Sequence, residues 1–256
     1  MFMRLVQLKI KREESATVRR YYEERTVPAL QNTPGCLFAC LMQSAEEADE
    51  MISMTMWESQ EAAESYEKSG LFQQLIDEKR HLMAESSEWR VQLSKDLKLE
   101  YAPVPMDPEI KAFPIAAMTG KTEKDAAPGH HPGRMFLRVF SLKLKPEMRE
   151  EYRRIYTDEI IPAFQAVKGC RHAYLLMPQG ESNEVFSITI WDSKEAVEEY
   201  ERGETFTRLI EKVKHTLTDL YQWKLNIDKR QGQTATTDDV KVEHYSMVTG
   251  RALHDK

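Results

Sequence analysis

The strongest constraint on this chain is that its sequence repeats at a fixed spacing. Met1-Phe2-Met3-Arg4 opens one copy and Met135-Phe136-Leu137-Arg138 opens the other, so residue n corresponds to residue n + 134. About a third of positions 1–94 are identical to their partners, and no insertion interrupts the register. A repeat of this length is a domain and not a solenoid unit.

The repeat also predicts the domain boundaries. A shorter match, at a slightly different spacing, aligns 110–121 with 240–251, so the final element of each copy is present too. The segment between the copies is polar and contains Pro128-Gly129 and Pro132-Gly133, as linkers do. We predict two domains at 1–121 and 135–251, joined by a linker at 122–134.

Composition and charge narrow the class of protein. The 256 residues are 41% apolar and 30% charged, as in ordinary globular proteins. A net charge of −6 argues against nucleic acid, which needs clustered Lys and Arg. The start of the chain lacks the pattern of a leader, and no apolar run is long enough to span a membrane. We expect a cytoplasmic protein that binds a small hydrophobic or aromatic molecule and neither nucleic acid nor membrane.

The first half of each copy reads as strand, helix, strand and strand. Apolar residues alternate from Phe2 to Lys11, which predicts a strand, and the period lengthens from Glu13 to Gln31, which predicts a helix. That helix should be kinked or ended near Pro28, and Gly35 should turn the chain into a second strand. A third strand is predicted at 51–57. Four residues of the second strand should share one face: Cys36, Phe38, Cys40 and Met42.

The second half of each copy adds helices and a strand. Ser59 should cap a short helix with Glu61 in its first turn, and a longer helix should run over 71–86. Trp89 and Leu93 share one face of a fourth strand, and a further strand follows it. The order βαββαβ plus an extra strand predicts a ferredoxin-like α+β domain. Its other sheet face is also apolar, so two sheets should pack face to face: Met3, Leu5, Leu37, Ala39 and Leu41.

One stretch resembles a known family. Trp57-Glu58-Ser59-Gln60-Glu61-Ala62, repeated as Trp191-Asp192-Ser193-Lys194-Glu195-Ala196, resembles the antibiotic-biosynthesis-monooxygenase family of dimeric α/β barrels, as does the turn Thr33-Pro34-Gly35. The resemblance covers both copies. Since members of that family are usually homodimers of single domains, it implies a dimer fused into one chain, an intramolecular dimeric α/β barrel. Further homodimerisation stays open.

The family's known site residues are mostly replaced here. In its haem-degrading branch an Asn, a Trp and a His surround the haem, and those places hold Val6, Tyr66 and Ile76, then Phe140, Tyr200 and Ile210. In its polyketide branch an Asn, a Trp and a Tyr line the pocket. Those places hold Ser53, Trp57 and Ala63, then Ser187, Trp191 and Val197. Only the tryptophan matches, so the resemblance implies no cofactor and disfavours haem.

Aromatic residues that repeat in both copies are the candidate catalytic groups. They are Tyr66 and Tyr200 on the short helix, with Trp57 and Trp191 at the strand ends. Tyr22 and Tyr156, on the first helix, should line a ligand cavity, and Ile76 and Ile210 lie where the resemblance puts a haem ligand. All these tyrosines and tryptophans could instead be core residues whose polar atoms are satisfied.

Arg4 and Arg138 lie on the apolar face of the first strand, where a guanidinium requires an anion. Glu24 and Asp158, on the adjacent helix, are the expected partners. The alternative is that each arginine binds an anionic ligand.

Cysteines and histidines do not form a metal-binding pattern. Cys36 and Cys40 would be roughly 13 Å apart on a strand, too far to bridge, so buried reduced thiols are expected. His81, like its repeat partner His215, falls opposite the apolar stripe of its helix and should face water. His172 is expected in the core or a pocket of one domain only. His130-His131 lies in the linker without ligand spacing.

These observations lead to one main hypothesis and two alternatives. The main one is a cofactor-free monooxygenase, in which an electron-rich phenol or enol reduces O2 while tyrosine hydroxyls assist proton transfer. The second is a non-catalytic module that binds a hydrophobic metabolite or haem. The third is haem degradation through substituted residues, which is disfavoured because neither copy supplies the helix histidine.

Overall fold

The computed structural model describes residues 1–93, 99–105, 109–118, 135–178, 182–218 and 240–252. Ten strands are described. They are β1 (Phe2–Lys9), β2 (Cys36–Ser44), β3 (Glu50–Trp57), β4 (Glu85–Leu93), β5 (Leu99–Pro105), β6 (Glu109–Met118), β7 (Phe136–Lys143), β8 (Cys170–Leu176), β9 (Glu184–Trp191) and β10 (Val240–Ala252).

The described ranges also contain eight helices. They are α1 (Ser15–Tyr21), α2 (Val27–Gln31), α3 (Gln60–Lys68), α4 (Leu71–Lys79), α5 (Arg149–Ile155), α6 (Ile161–Ala166), α7 (Lys194–Arg202) and α8 (Glu204–Val213), with short 3₁₀ or π turns beside them. The long helix predicted over 71–86 is shorter than expected, because α4 ends at Lys79 in a 3₁₀ turn, and its repeat counterpart α8 also ends in a 3₁₀ turn. None of the described helices combines the length and the hydrophobicity of a membrane span.

The two copies form one closed antiparallel barrel. Its strand order is β1-β3-β2-β10-β7-β9-β8-β6, and β6 pairs with β1 to close it. Each copy supplies three neighbouring strands, and the last strand of each copy joins the two sets. Thus β6 also pairs with β8, and β10 pairs with both β7 and β2. The expected pairing of two ferredoxin-like units within one chain is confirmed, with the sheets joined edge to edge as well.

One predicted strand is not in the barrel. Trp89 lies on β4, which pairs with β5 in a separate two-stranded sheet. The place beside β1 is taken by β6, the extra strand, so the expectation that β4 completes the ferredoxin-like sheet is wrong. Alternation of apolar residues predicts the faces of a strand but not its partner, and only one strand can occupy that edge. The repeat counterpart, Trp223, lies outside the described residues, as do the linker and its histidines.

The first helix of each copy continues through its proline, because the turn before the proline widens into a π-helix. Residues Tyr22–Thr26 form a π-helical turn between α1 and α2, and the Val27 amide donates to the Tyr22 carbonyl oxygen. Pro28 has no amide hydrogen and its ring would clash with a carbonyl one turn earlier, so the wider turn accommodates it. The same turn recurs at Tyr156–Ile160, before Pro162. The sequence predicted a kink or an end there, and the chain widens instead.

A β-bulge at the start of β2 changes which residues face the barrel interior. The register against β3 shifts between Cys36 and Phe38. Cys36 consequently packs against the helices, whereas Phe38 lies in the barrel core together with Cys40 and Met42. The prediction that Cys36 shares their face is wrong, because the extra residue reverses the alternation. The second copy has the same bulge, between Cys170 and His172.

Because of the bulge, only some of the residues predicted at the interface between the sheets lie there. Met3, Leu5 and Leu37 lie in the barrel core as expected. Ala39 and Leu41 face the helices instead. The barrel interior is an apolar core built from both copies, and each copy has a separate core between its sheet and its helices. The candidate aromatic residues belong to those two helix-side cores.

The family-like stretch after each third strand has a local structural role. Ser59 caps α3 by accepting from the Ala62 amide at 3.2 Å, and Ser193 does the same for α7 at 3.3 Å, which confirms the predicted caps. Gly35 has φ of +78°, and a Cβ there would lie 2.6 Å from the Ala62 Cβ. The turn before β2 therefore requires glycine for both its backbone conformation and its close contact with α3.

Candidate functional site

A buried arginine and a glutamate form the centre of each helix-side core. Arg138 Nε donates to Glu201 Oε1 at 2.6 Å, and Arg4 Nε donates to Glu67 Oε1 at 2.7 Å. The arginines are 1% and 2% exposed, whereas the glutamates, on α7 and α3, reach the surface. The expected ion pairs exist, but the predicted partners Glu24 and Asp158 are wrong, since both are exposed on the far side of their helix.

Each guanidinium keeps one nitrogen without a hydrogen bond. Nη2 of Arg138 and Nη2 of Arg4 are buried and have no partner among the described residues. The guanidinium carbon of Arg138 lies 4.8 Å from the ring centre of Phe140 and 5.2 Å from that of Phe206. Aromatic faces stabilise a cation but do not satisfy an N–H donor. The unpaired Nη2 is therefore a donor available to a ligand.

A tyrosine from the π-helical turn reaches the sheet in both copies. The Tyr156 hydroxyl donates to the Tyr174 carbonyl oxygen at 3.2 Å and shares a hydrogen bond with the Ser187 hydroxyl at 2.8 Å. Tyr22 makes the equivalent bonds to Cys40 and Ser53, each at 3.0 Å. Burial raises the pKa of the Tyr156 phenol above its ordinary value, so the phenol stays neutral. The repeated phenol–serine pair can donate or relay a proton without itself carrying charge.

The strand-end tryptophans pack against the short-helix tyrosines. The rings of Trp191 and Tyr200 are 5.1 Å apart, as are those of Trp57 and Tyr66. Trp191 is fully buried and its indole N–H donates to the Thr189 hydroxyl at 2.7 Å. Its polar atom is thus already satisfied, whereas the Tyr200 hydroxyl has no hydrogen-bond partner among the described residues. Burial raises the pKa of the Tyr200 phenol and Arg138 opposes that rise.

Arg138, Tyr156 and Tyr200 line one cavity in the second copy. It is narrow, with a volume of about 30 Å³, and it lies between β7, β9 and the helices. Most of its lining is buried, but Phe206 and Ile210 are only partly buried. The polar groups of the lining are Arg138, Tyr152, Tyr156, Ser187 and Tyr200, and the rest is apolar. Of the candidates named from the second copy, Arg138, Tyr156, Tyr200 and Ile210 line the cavity.

The corresponding place in the first copy is more polar. Thr26 occupies the position of Ile160, and Lys79 that of Val213, both of which line the cavity of the second copy. Lys79 is 5% exposed, and the Thr26 hydroxyl is buried without a hydrogen bond among the described residues. Ile76 is buried in the helix-side core of this copy. Neither Thr26 nor Lys79 was singled out from the sequence, although comparing the copies position by position would have shown the exchange of apolar for polar residues.

The other titratable residues of the sequence analysis lie outside these two sites. His81 and His215 are exposed, as predicted, and His215 pairs with Glu151 at 3.0 Å. His172 stacks on Tyr174, and burial lowers its pKa to about 4. All three cysteines are free. No cluster of three or more His, Cys, Asp or Glu in the described part of the chain could hold a metal ion.

Haem does not fit the described site. Ile210, which lies where the family's haem-degrading branch has its ligand, has no donor atom and lines the cavity. The cavity lining contains no His, Cys or Met, and burial raises the pKa values of Tyr156 and Tyr200, which disfavours a phenolate ligand.

The fold defines the class of protein, a tandem dimeric α/β barrel with one helix-side core in each copy. The chain belongs to the antibiotic biosynthesis monooxygenase family, whose sequence profile matches residues 1–78 and 135–212. No curated protein sequence matches the chain.

Solved structures agree with the fold over the whole chain. One is a candidate monooxygenase from Lactobacillus acidophilus, with a TM-score of 0.64, 10% identity, and coverage of 98% of this chain and 96% of that one. Another is an anthrone oxidase-like protein, with a TM-score of 0.57, 15% identity, and coverage of 100% and 94%. At these identities the likeness establishes the fold alone.

Proposed function

We propose that this protein is a cofactor-free monooxygenase whose second copy oxidises a small aromatic molecule that ionises to a phenolate or enolate. The observation that supports the proposal is the narrow apolar cavity into which Arg138 presents an unpaired, buried Nη2. Phe206 and Ile210, which are only partly buried, would move aside to admit a flat apolar ligand between the aromatic walls. The oxygen anion of that ligand would pair with the guanidinium. The family and the structural likeness to an anthrone oxidase-like protein support the choice of substrate class.

Arg138 stabilises the substrate in its reactive, ionised form. The substrate loses its proton to water at the cavity mouth, and Nη2 binds the resulting oxygen anion in a site with little water. Burial of the guanidinium strengthens this attraction. Phe206 and Ile210, the partly buried members of the lining, form the side through which the substrate enters.

The ionised substrate itself reduces O2, so no further electron donor is needed. It gives one electron to O2, and the resulting radical and superoxide combine into a peroxide anion. This anion takes back the proton that the substrate released to water, and the hydroperoxide then loses water to leave a new carbonyl group. For anthrone the balance is one anthrone and one O2 giving one anthraquinone and one water. Tyr200 donates a hydrogen bond to the peroxide, and the Tyr156–Ser187 pair holds a second proton donor nearby.

Oxygen uptake with anthrone tests this function directly. We expect anthraquinone to form faster than in buffer or with heat-denatured protein, with one atom of labelled O2 in the quinone and the other in water. Arg138→Met should lower kcat/KM by roughly a hundredfold, the usual cost of removing one oxyanion donor. Arg4→Met removes the matching residue of the first copy and should leave this rate unchanged. A rate no higher than the controls would disprove the proposal, and binding without turnover would identify a non-catalytic module.

A further inference from the structure

The first copy contains a buried cation without an anionic partner. Lys79 on α4 is 5% exposed, but its Nζ reaches solvent at the edge of the core, and no carboxylate of the described residues forms an ion pair with it. The ring of Tyr21 is its recorded neighbour, with the centroid 5.8 Å from Nζ. Lysine is almost never buried unless it is paired, because desolvation of an ammonium costs several kcal/mol. Burial lowers the pKa of the Lys79 amine to about 8, so most of it remains charged at neutral pH.

Two more unsatisfied donors belong to the same copy. Arg4 Nη2 and the Thr26 hydroxyl are buried and lack a hydrogen-bond partner among the described residues. In the second copy the counterparts of Arg4, Thr26 and Lys79 are Arg138, Ile160 and Val213, which line one cavity together. The repeat therefore places Arg4, Thr26 and Lys79 at equivalent positions of the helix-side core in the first copy. Two of them occur where the second copy has apolar residues, so this site is suited to a more polar ligand.

We infer that the first copy holds a second binding site, which takes a small organic dianion such as an aromatic or aliphatic dicarboxylate, with one acid group near Arg4 and the other near Lys79. A dicarboxylate supplies acceptors for all three donors and neutralises the buried ammonium. The second copy has one such cation and apolar walls, so it would not bind the same ligand well. This inference is independent of the proposed oxygenase activity, which concerns the second copy.

Calorimetric titration of the full chain at pH 7 with phthalate and succinate tests the inference. We expect at least one of these dicarboxylates to bind, and Lys79→Val to weaken that binding at least tenfold. Lys68→Met removes an exposed lysine of α3 and should bind like the wild type. Benzamide, an uncharged aromatic molecule, should not compete. Failure of both dicarboxylates to bind, or equal binding by Lys79→Val, would overturn the inference.

The stability of Lys79→Val provides an independent readout. Valine occupies this position in the second copy, so the variant should fold, and removal of an unpaired buried cation should leave the midpoint of denaturant unfolding equal or higher. A clearly lower midpoint would show that an internal partner already satisfies the ammonium. That result would also overturn the inference, since no free cation would remain for a ligand.

Discussion

Arg138 donates through Nε to Glu201 at 2.6 Å, and this one contact joins β7 to α7 beneath the cavity. Arg138 is 1% exposed, whereas the Glu201 side chain is 24% exposed. A buried guanidinium is tolerated only when an anion compensates its charge. The Glu201 carboxylate therefore stabilises the Arg138 guanidinium at the cavity wall. The same pair in the first copy, Arg4 with Glu67, shows that the arrangement belongs to the repeated unit.

Loss of Glu201 should therefore cost more than loss of an ordinary surface glutamate. Glu201→Gln leaves Arg138 without its anion, and we expect the free energy of unfolding to fall by about 3 kcal/mol. Glu198→Gln is the matched control on α7, because Glu198 makes only exposed ion pairs, and it should cost less than about 1 kcal/mol. Adding Arg138→Met to Glu201→Gln should restore part of the loss. Equal effects of Glu201→Gln and Glu198→Gln in urea unfolding would contradict this account.

The turn before β2 offers a second test. Gly35→Ala forces a side chain into a positive φ and to within 2.6 Å of the Ala62 Cβ, so we expect a loss of about 2 to 4 kcal/mol in the free energy of unfolding. Gly70→Ala is the control, since Gly70 has φ of +80° but no atom within 4 Å of the added Cβ. It should lose only about 1 to 2 kcal/mol, the backbone part. If both variants lose the same amount, the contact with Ala62 has no energetic role.

The repeat made the fold predictable because each local feature of one copy could be checked at the matching position of the other copy. Matching Ser59 to Ser193 and Gly35 to Gly169 identified caps and turns that depend only on nearby residues, and the structure confirms them. Partner choice was harder to predict. Arg4 had a nearby acid in sequence, Glu24, yet it pairs with Glu67 because α3 crosses β1. A glutamate after the tyrosine in both copies was the available signal.

Local backbone irregularity explains the remaining errors. The bulge after Cys36 inserts one residue and moves Ala39 and Leu41 from the barrel interior to the helix side. No residue type in the sequence marks that insertion, since alternation continues on either side of it. The sequence predicted a ligand cavity lined by Tyr22 and Tyr156, but not the size of the cavity in the second copy, because that volume depends on how large side chains such as Phe206 pack.

Acid should destabilise the protein partly through His172. Its folded pKa of about 4 lies below the ordinary value of 6.5, first because of burial and then because of Arg171, so between these pH values the unfolded chain binds more protons. Stability from this residue is therefore present above about pH 6.5 and is lost as the pH falls towards 4. His172→Phe, which copies Phe38 of the first copy, should flatten this part of the stability–pH curve. His81→Gln, at an exposed position, should not change it, and a curve unchanged by His172→Phe would refute the assignment.

Hemin should not form a tight stoichiometric complex with this chain. Ile76 and Ile210 lie where the resemblance puts the haem ligand, and neither has an atom that coordinates iron. Titration should give no sharp shift of the Soret band at one or two equivalents. Ile210→His adds the missing imidazole beside the cavity and serves as the positive comparison. A tight complex in the wild type, followed by iron release with a reductant, would instead establish haem degradation.

The barrel topology predicts how one copy behaves alone. In residues 1–121 the strand β6 has lost its partner β8, and β2 has lost β10, so two sheet edges and the apolar face of Met3, Leu5 and Leu37 are exposed. Because β8 is the repeat counterpart of β2, β6 of one molecule can pair with β2 of another. We expect the isolated copy to form a symmetric dimer or to aggregate, whereas the full chain closes its barrel internally by effective concentration. Light scattering over a range of concentrations measures this, with the full chain as the comparison. An isolated copy that stays monomeric and folded at high concentration would show that the strand exchange is not needed for its stability.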